Sequence, residues 1–137
     1  MTTFAVNAVG YVESPVKTLE DAPRQPDEGA PAAWLVFNED VESALQGMRP
    51  GDDILVLTWL DRARRDLLQV HPRGEVRRPL EGVFNTRSPH RPNPIGLHRA
   101  RVIAIEGLRV QVDALEAVDG TPLLDVKPTL TADIHER

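Results

Sequence analysis

Apolar and polar positions along this chain recur with the period of strands more often than with that of helices. Leu108, Val110, Val112 and Ala114 fall on one face while Arg109, Gln111 and Asp113 fall on the other, as in a strand with one buried side. Ala100-Arg101-Val102-Ile103-Ala104-Ile105 precedes this run across Glu106-Gly107, so the two predict a hairpin. Asp53-Ile54-Leu55-Val56-Leu57-Thr58-Trp59-Leu60 is almost continuously apolar and predicts a central strand buried on both faces. Further strands are predicted over Phe4 to Val12, Ala32 to Phe37, Leu67 to His71, Val76 to Leu80 and Leu123 to Lys127. They are separated by turn signals such as Ser14-Pro15, Pro72-Arg73-Gly74-Glu75 and Asp119-Gly120-Thr121-Pro122. Trp34 and Trp59 lie inside apolar strands and read as core. One stretch has the helical period: Val41, Ala44, Leu45 and Met48 share a face, Asn38 stands ready as N-cap with Glu39 and Asp40 in the first turn, and Pro50-Gly51 ends it.

Many short strands and one short helix predict a mainly β fold, a small single-domain β-barrel closed to remove its edges. Strands do not alternate with helices and no G-x-G-x-x-G follows the first strand, so any nucleotide-like cofactor is held outside a Rossmann architecture. The 137 residues suit one core, read as a single domain over 1–137.

Two stretches escape both periods. Val16 to Pro31 carries several prolines, Gly29 and a group of acids, and a long irregular segment inside a compact domain is often a binding loop. Gly82-Val83-Phe84-Asn85-Thr86-Arg87-Ser88-Pro89-His90-Arg91-Pro92-Asn93-Pro94-Ile95-Gly96-Leu97 is stiffer. Pro89, Pro92 and Pro94 fix their own φ and push the preceding residues toward extended geometry. Such a loop offers carbonyls and the side chains of Arg87, Ser88, His90, Arg91 and Asn93, which suits an anionic or nucleotide-like ligand.

Charge sharpens that picture. The net charge is −5, yet residues 62–101 hold ten arginines against Asp66, Glu75 and Glu81, a local +7 on an acidic body. Such asymmetry points to a polyanion-facing surface, the alternative being arginines scattered over several faces. Cysteine is absent, which excludes disulfides and thiolate chemistry. The four histidines His71, His90, His98 and His135 have no metal-ligand spacing, and no metal is expected. The N-terminus has no basic region followed by an apolar core and no run is long enough to span a membrane, so a cytoplasmic protein is the expectation. No catalytic residue can be named from these features.

The loop from Gly82 to Leu97 resembles the signature of the TsaA-like domain family, T-R-S-x-x-R-P-N-P-I-G, whose characterised bacterial members are TrmO-type tRNA methyltransferases. Other family elements follow in the same order: Val9-Gly10-Tyr11-Val12-Glu13-Ser14-Pro15, Ala22-Pro23-Arg24-Gln25-Pro26, Val118-Asp119-Gly120-Thr121-Pro122 and Asp125-Val126-Lys127-Pro128. The likeness covers residues 6–130. It implies a small β-barrel that binds S-adenosylmethionine, commonly as a homodimer, and methylates threonylcarbamoyladenosine in the tRNA anticodon loop.

By that resemblance the cofactor site is formed by Pro23, Arg24, Gln25, Leu60, Asp61, Arg87, Leu97, Asp119, Gly120 and Thr121, with His90, Arg91 and Asn93 turned to the RNA or the acceptor. Longer members carry a C-terminal domain, whereas this sequence stops at Arg137 and is expected to lack that RNA-binding extension. Many relatives have His-Gln where Leu60-Asp61 stands here, and tyrosine where Thr129 stands. These departures bear on substrate more than on cofactor, leaving open another RNA, a small metabolite, or a non-catalytic nucleotide- or RNA-binding module.

Overall fold

A computed structural model of the chain describes residues 2–17 and 30–130. Eight strands are present among them: β1 (Gly10–Glu13), β2 (Ala33–Phe37), β3 (Asp53–Trp59), β4 (Gln69–Val70), β5 (Glu81–Gly82), β6 (Ile95–Glu106), β7 (Arg109–Val112) and β8 (Pro122–Pro128). Six of them close a barrel in the order β1-β2-β7-β6-β3-β8, every pair antiparallel, while β4 and β5 form a separate two-stranded sheet. The predicted hairpin is β6–β7, turned at Gly107 with φ of 62°.

Inward positions follow the period of two. Val12, Leu35, Val56, Val102, Val110, Val112 and Leu123 are all 0–1 % exposed and form the core with Ile54 and Ala33. The connection between β7 and β8 also turns into it, burying Leu115, Ala117 and Val118. Gly10 serves a close approach: a Cβ there would meet the Val36 carbonyl oxygen and lie 2.9 Å from the Phe37 Cα across the β1–β2 pair.

Several elements differ from the sequence reading, each for a tertiary reason. β3 is not buried on both faces. Ile54, Val56 and Thr58 point inward, whereas Asp53, Leu55, Leu57 and Trp59 are half-buried, because a barrel wall has only one inner side. Trp34 and Trp59 occupy outward positions beneath arginines, Arg109 at 4.3 Å and Arg65 at 5.1 Å from the ring centroids. The first strand is shorter than Phe4 to Val12. Gly10 pairs with Phe37, the last residue of β2; before it Val9 still bonds Leu123 O and Asn38 N, but no ladder continues, and Phe4 and Val6 are exposed. Val76 to Leu80 likewise lacks a partner and contains Pro79; the strand forms at Glu81 instead.

The predicted helix is a 3-10 helix over Glu39–Leu45. Val41, Leu45 and Met48 pack on the core, while Ala44 is exposed. The Asn38 side chain makes no cap hydrogen bond and donates to the Ala8 carbonyl at 3.1 Å. A helix this short gains too little from its own hydrogen bonds to resist such a tie.

Asp119 fastens the segment before β8 to the end of β1. Its Oδ1 accepts from the Ser14 amide at 2.8 Å and its Oδ2 lies 3.1 Å from Lys17 Nζ. The Ser14 hydrogen bond, then Lys17, hold the carboxyl below the ordinary 3.8. A carboxyl depressed by folding stabilises the fold above its unfolded pKa, about 3.9, and that contribution disappears as pH falls through the folded value.

Gly10→Ala is expected to destabilise by about 1–3 kcal/mol or more, since the Cβ meets backbone that cannot step aside; chemical denaturation checks this. Asp119→Asn is expected to lower the melting temperature at neutral pH. The gap from wild type should narrow below pH about 4, and a gap independent of pH would contradict the assignment.

Candidate functional site

The loop between β5 and β6 owes its shape to side chains that satisfy its own backbone. Prolines remove donors, so the loop is left with an excess of carbonyls. Arg91 supplies the missing donors. Its Nη1 donates to Thr86 O at 3.1 Å and Ser88 O at 2.9 Å, and its Nη2 to Val83 O at 2.9 Å. Arg65 reaches across from the β3–β4 connection, its Nε to Pro92 O at 2.7 Å and its Nη2 to Asn93 Oδ1 at 3.0 Å. The Arg64 amide donates to His90 Nδ1 at 3.0 Å and the Leu60 amide to Pro94 O at 2.8 Å. The loop is thereby fixed to the chain that follows β3.

Beside it opens a cleft of about 1070 Å³, bounded by this loop, the start of β6, the β3–β4 connection, the small β4–β5 sheet and the segment before β8. That is at the upper end of small-molecule sites. Leu60, Asp61, Arg87, Leu97 and Thr121 line it, as do His90, Arg91 and Asn93, so eight of the residues singled out from the sequence share one cavity. Asp119 and Gly120 are not on its wall; Asp119 binds Ser14, and the Gly120 amide donates to Val12 O at 2.7 Å. Pro23, Arg24 and Gln25 lie outside the described residues.

Charge in the cleft is biased. Arg62, Arg73, Arg78, Arg87 and Arg91 line it against Asp61, Glu81 and Glu116. Half of the ten central arginines thus gather on one concavity instead of scattering. Arg64 and Arg101 are matched elsewhere to Asp66 at 2.7 Å and Asp53 at 3.0 Å. The Arg87 Nη2 donates to Leu97 O at 2.8 Å, which sets its guanidinium over the start of β6 and leaves its other donors for a ligand.

The sequence reading missed what lies deepest. His98, 5 % exposed, places Nδ1 2.6 Å from Glu116 Oε1 and Nε2 2.7 Å from Thr58 Oγ1. Gly96 makes room for this ring, since a Cβ there would lie 2.7 Å from His98 Nε2 and against Thr58 Oγ1. One signal was available: Gly96, His98, Ala100 and Val102 share parity, so a β6 extended back toward the prolines turns His98 inward. Nothing in spacing pairs it with Glu116. Among the described residues no group of three or more His, Asp or Glu side chains converges as a metal set would.

Arg91→Ala is expected to cost about 1–3 kcal/mol through the orphaned carbonyls and to speed hydrogen exchange over residues 83–91. Unchanged exchange there would show that the loop holds itself.

The fold has counterparts among known proteins. The chain is 41% identical over 119 residues to an S-adenosyl-L-methionine-binding protein of Archaeoglobus fulgidus, covering 87% of this chain and 84% of that one. It is 39% identical over 123 residues to a probable S-adenosyl-L-methionine-binding protein of Methanothermobacter thermautotrophicus, covering 90% and 88%. The crystal structure of TrmO from Pseudomonas aeruginosa superposes with a TM-score of 0.75 at 29% identity, over 94% of this chain and 57% of that one. A further TrmO crystal structure gives 0.75 at 32% identity, over 94% and 58%. The chain therefore spans little more than half the length of these solved proteins. Residues 11–133 match the model of the tRNA-methyltransferase O N-terminal domain, and the chain belongs to that family.

Proposed function

We propose that this protein is an S-adenosylmethionine-dependent methyltransferase that acts on threonylcarbamoyladenosine in the tRNA anticodon loop. The observation that carries this reading is the convergence of Arg87, Leu97, Leu60, Asp61 and Thr121 on one arginine-biased cleft at the start of β6. Relatives named for binding S-adenosylmethionine support the cofactor, and the likeness to TrmO supports the tRNA substrate.

The residues present fit such a cofactor. The cleft has room for a nucleoside with an amino-acid tail and mixes apolar walls with guanidinium groups and carboxylates. Arg87, tethered to Leu97 O, would hold the methionine carboxylate, and Asp61 would balance positive charge or bind ribose hydroxyls. When bound, the cofactor supplies a methyl group on a sulfonium, which is already a good leaving group. The work of this chain is then to bind, align and exclude water. Its rigid loop suits that task, because Arg91 and Arg65 order it before any ligand arrives. His90 and Asn93 each spend one polar atom on the β3–β4 connection, leaving Nε2 and Nδ2 for the acceptor's threonyl carboxylate or the RNA.

The assembly we assign is a homodimer. On the outer wall, Trp59 pairs with Ile95 and Leu57 with Leu97, and Ile95 and Leu97 are 46% and 42% exposed. Both also border the cleft, so a second copy seated there would help enclose it. A cytoplasmic setting suits a tRNA substrate, and no helix among the described residues is long and apolar enough to cross a membrane.

Calorimetric titration with S-adenosylmethionine is expected to give micromolar or tighter affinity, about −8 kcal/mol or better. Arg87→Ala should weaken it at least tenfold while stability changes by no more than about 0.5 kcal/mol. Methyl transfer to threonylcarbamoyl-modified tRNA, and none to unmodified tRNA, completes the test. Cofactor binding without transfer to either tRNA would move the assignment to another RNA or a small metabolite. A folded protein that binds no cofactor would be a non-catalytic module.

A further inference from the structure

Thr58, His98 and Glu116 form a hydrogen-bonded chain from the barrel interior to the cleft. With Glu116 Oε1 as acceptor, His98 Nδ1–H donates to it, and Nε2 is left to accept from the Thr58 hydroxyl. The order resembles a nucleophile, base and acid, but it runs the wrong way for that chemistry. Thr58 is fully buried and absent from the cleft wall, whereas His98 and Glu116 line it. The end that meets the cleft is the carboxylate.

That carboxylate is incomplete. The Glu116 side chain is 10% exposed, Oε1 is held by His98, and Oε2 is buried with no hydrogen-bond partner among the described residues. A buried acceptor without a partner is costly, and proteins keep such groups chiefly where a site uses them. The neighbouring backbone gives it little freedom to turn away, since Leu115 and Ala117 on either side are in the core. One further group and a missing Cβ maintain the arrangement: Thr58 fixes the far side of the ring, and Gly96 leaves the space it occupies.

We propose that Glu116 Oε2 is a ligand-binding acceptor of the cleft, oriented by His98 and Thr58, that takes a hydrogen bond from an N–H or O–H donor of a bound nucleoside. The assignment rests on the reading of the cleft as a nucleoside site. The donor belongs either to the cofactor, through an amino or ribose hydroxyl group, or to the acceptor nucleoside. His98 and Thr58 are positioning residues. They hold the carboxylate in one rotamer, so its second oxygen is presented without an entropy cost at binding.

The test compares wild type, Glu116→Gln and Thr58→Val. Glutamine keeps the shape and one acceptor for His98 Nδ1, and so places an amide donor where Oε2 stands. For a cofactor donor, S-adenosylhomocysteine affinity by calorimetry should fall about ten- to hundredfold in Glu116→Gln. For an acceptor donor, that affinity stays the same and KM for modified tRNA rises, or kcat falls, by a similar factor. Thr58→Val keeps its volume and should shift the same constant in the same direction by a smaller factor. Should Glu116→Gln fail to fold, Thr58→Val carries the comparison. Altered melting temperature with unchanged affinity and kinetic constants would mean a purely structural pair and would overturn the proposal. If wild type itself binds no cofactor, the reading of the cleft fails and this assignment falls with it; normal binding and turnover by every variant defeats this assignment alone.

Discussion

β1 is four residues long and meets β8 over two paired positions, Gly10 with Leu123 and Tyr11 with Pro122, yet this seam turns a curved sheet into a ring. The hydrogen bonds just beyond the register strengthen it: Val9 N to Leu123 O, Val12 N to Thr121 O and Gly120 N to Val12 O, at 2.7–2.9 Å. Asp119 adds a charged clasp through the Ser14 amide. With the seam shut, no barrel strand has a free edge, and Val12, Leu35 and Leu123 close on one another from different strands. The segment that makes the seam also carries Glu116 and Thr121 to the cleft, so the ring and the site are assembled together.

Rigidity in the cleft wall comes from arginine rather than from regular structure. A proline-rich loop cannot satisfy its carbonyls with its own amides, and two guanidiniums, Arg91 and Arg65, do so instead. Arginine suits this work because its planar fork reaches several oxygens from one side chain. The same residue type therefore has two uses within one loop. Arg91 is largely spent on Val83, Thr86 and Ser88, while Arg87 touches one carbonyl and keeps most of its donors. A positive local charge is thus partly scaffold, and counting arginines overstates what faces a ligand.

Burial is distributed unevenly between the two faces of the barrel wall. Inside, apolar side chains alternate until the start of β6, where Thr58 is paired with Gly96 and His98, two residues further on, is paired with Val56. Outside, Trp34 and Trp59 lie under Arg109 and Arg65, which covers aromatic surface that a closed ring cannot bury. Among the described residues the buried polar side chains are Ser14, Thr58, His98 and Thr121, of which His98 and Thr121 line the cleft.

Local rules determined much of this molecule from its sequence. Apolar strand-forming runs bounded by turn signals located β2, β3 and β8, and alternation located β7 and the β6–β7 turn, each to within a residue or two, because strand propensity and one-sided burial are written locally. Three prolines in six positions marked a stiff loop, since their constraint is covalent. Tertiary structure alone decided which runs find a neighbour. Phe4 to Ala8 has strand residues but extends past the end of β2, where no ladder continues. It decided that Arg91, though on the cleft wall, is spent bracing the loop while Arg87 touches one carbonyl, two residues alike in type and four positions apart. It also brought His98 and Glu116 together from β6 and the connection before β8. Hydrogen bonds between side chains 18 residues apart depend on where two segments cross, and no pattern along one segment encodes that crossing.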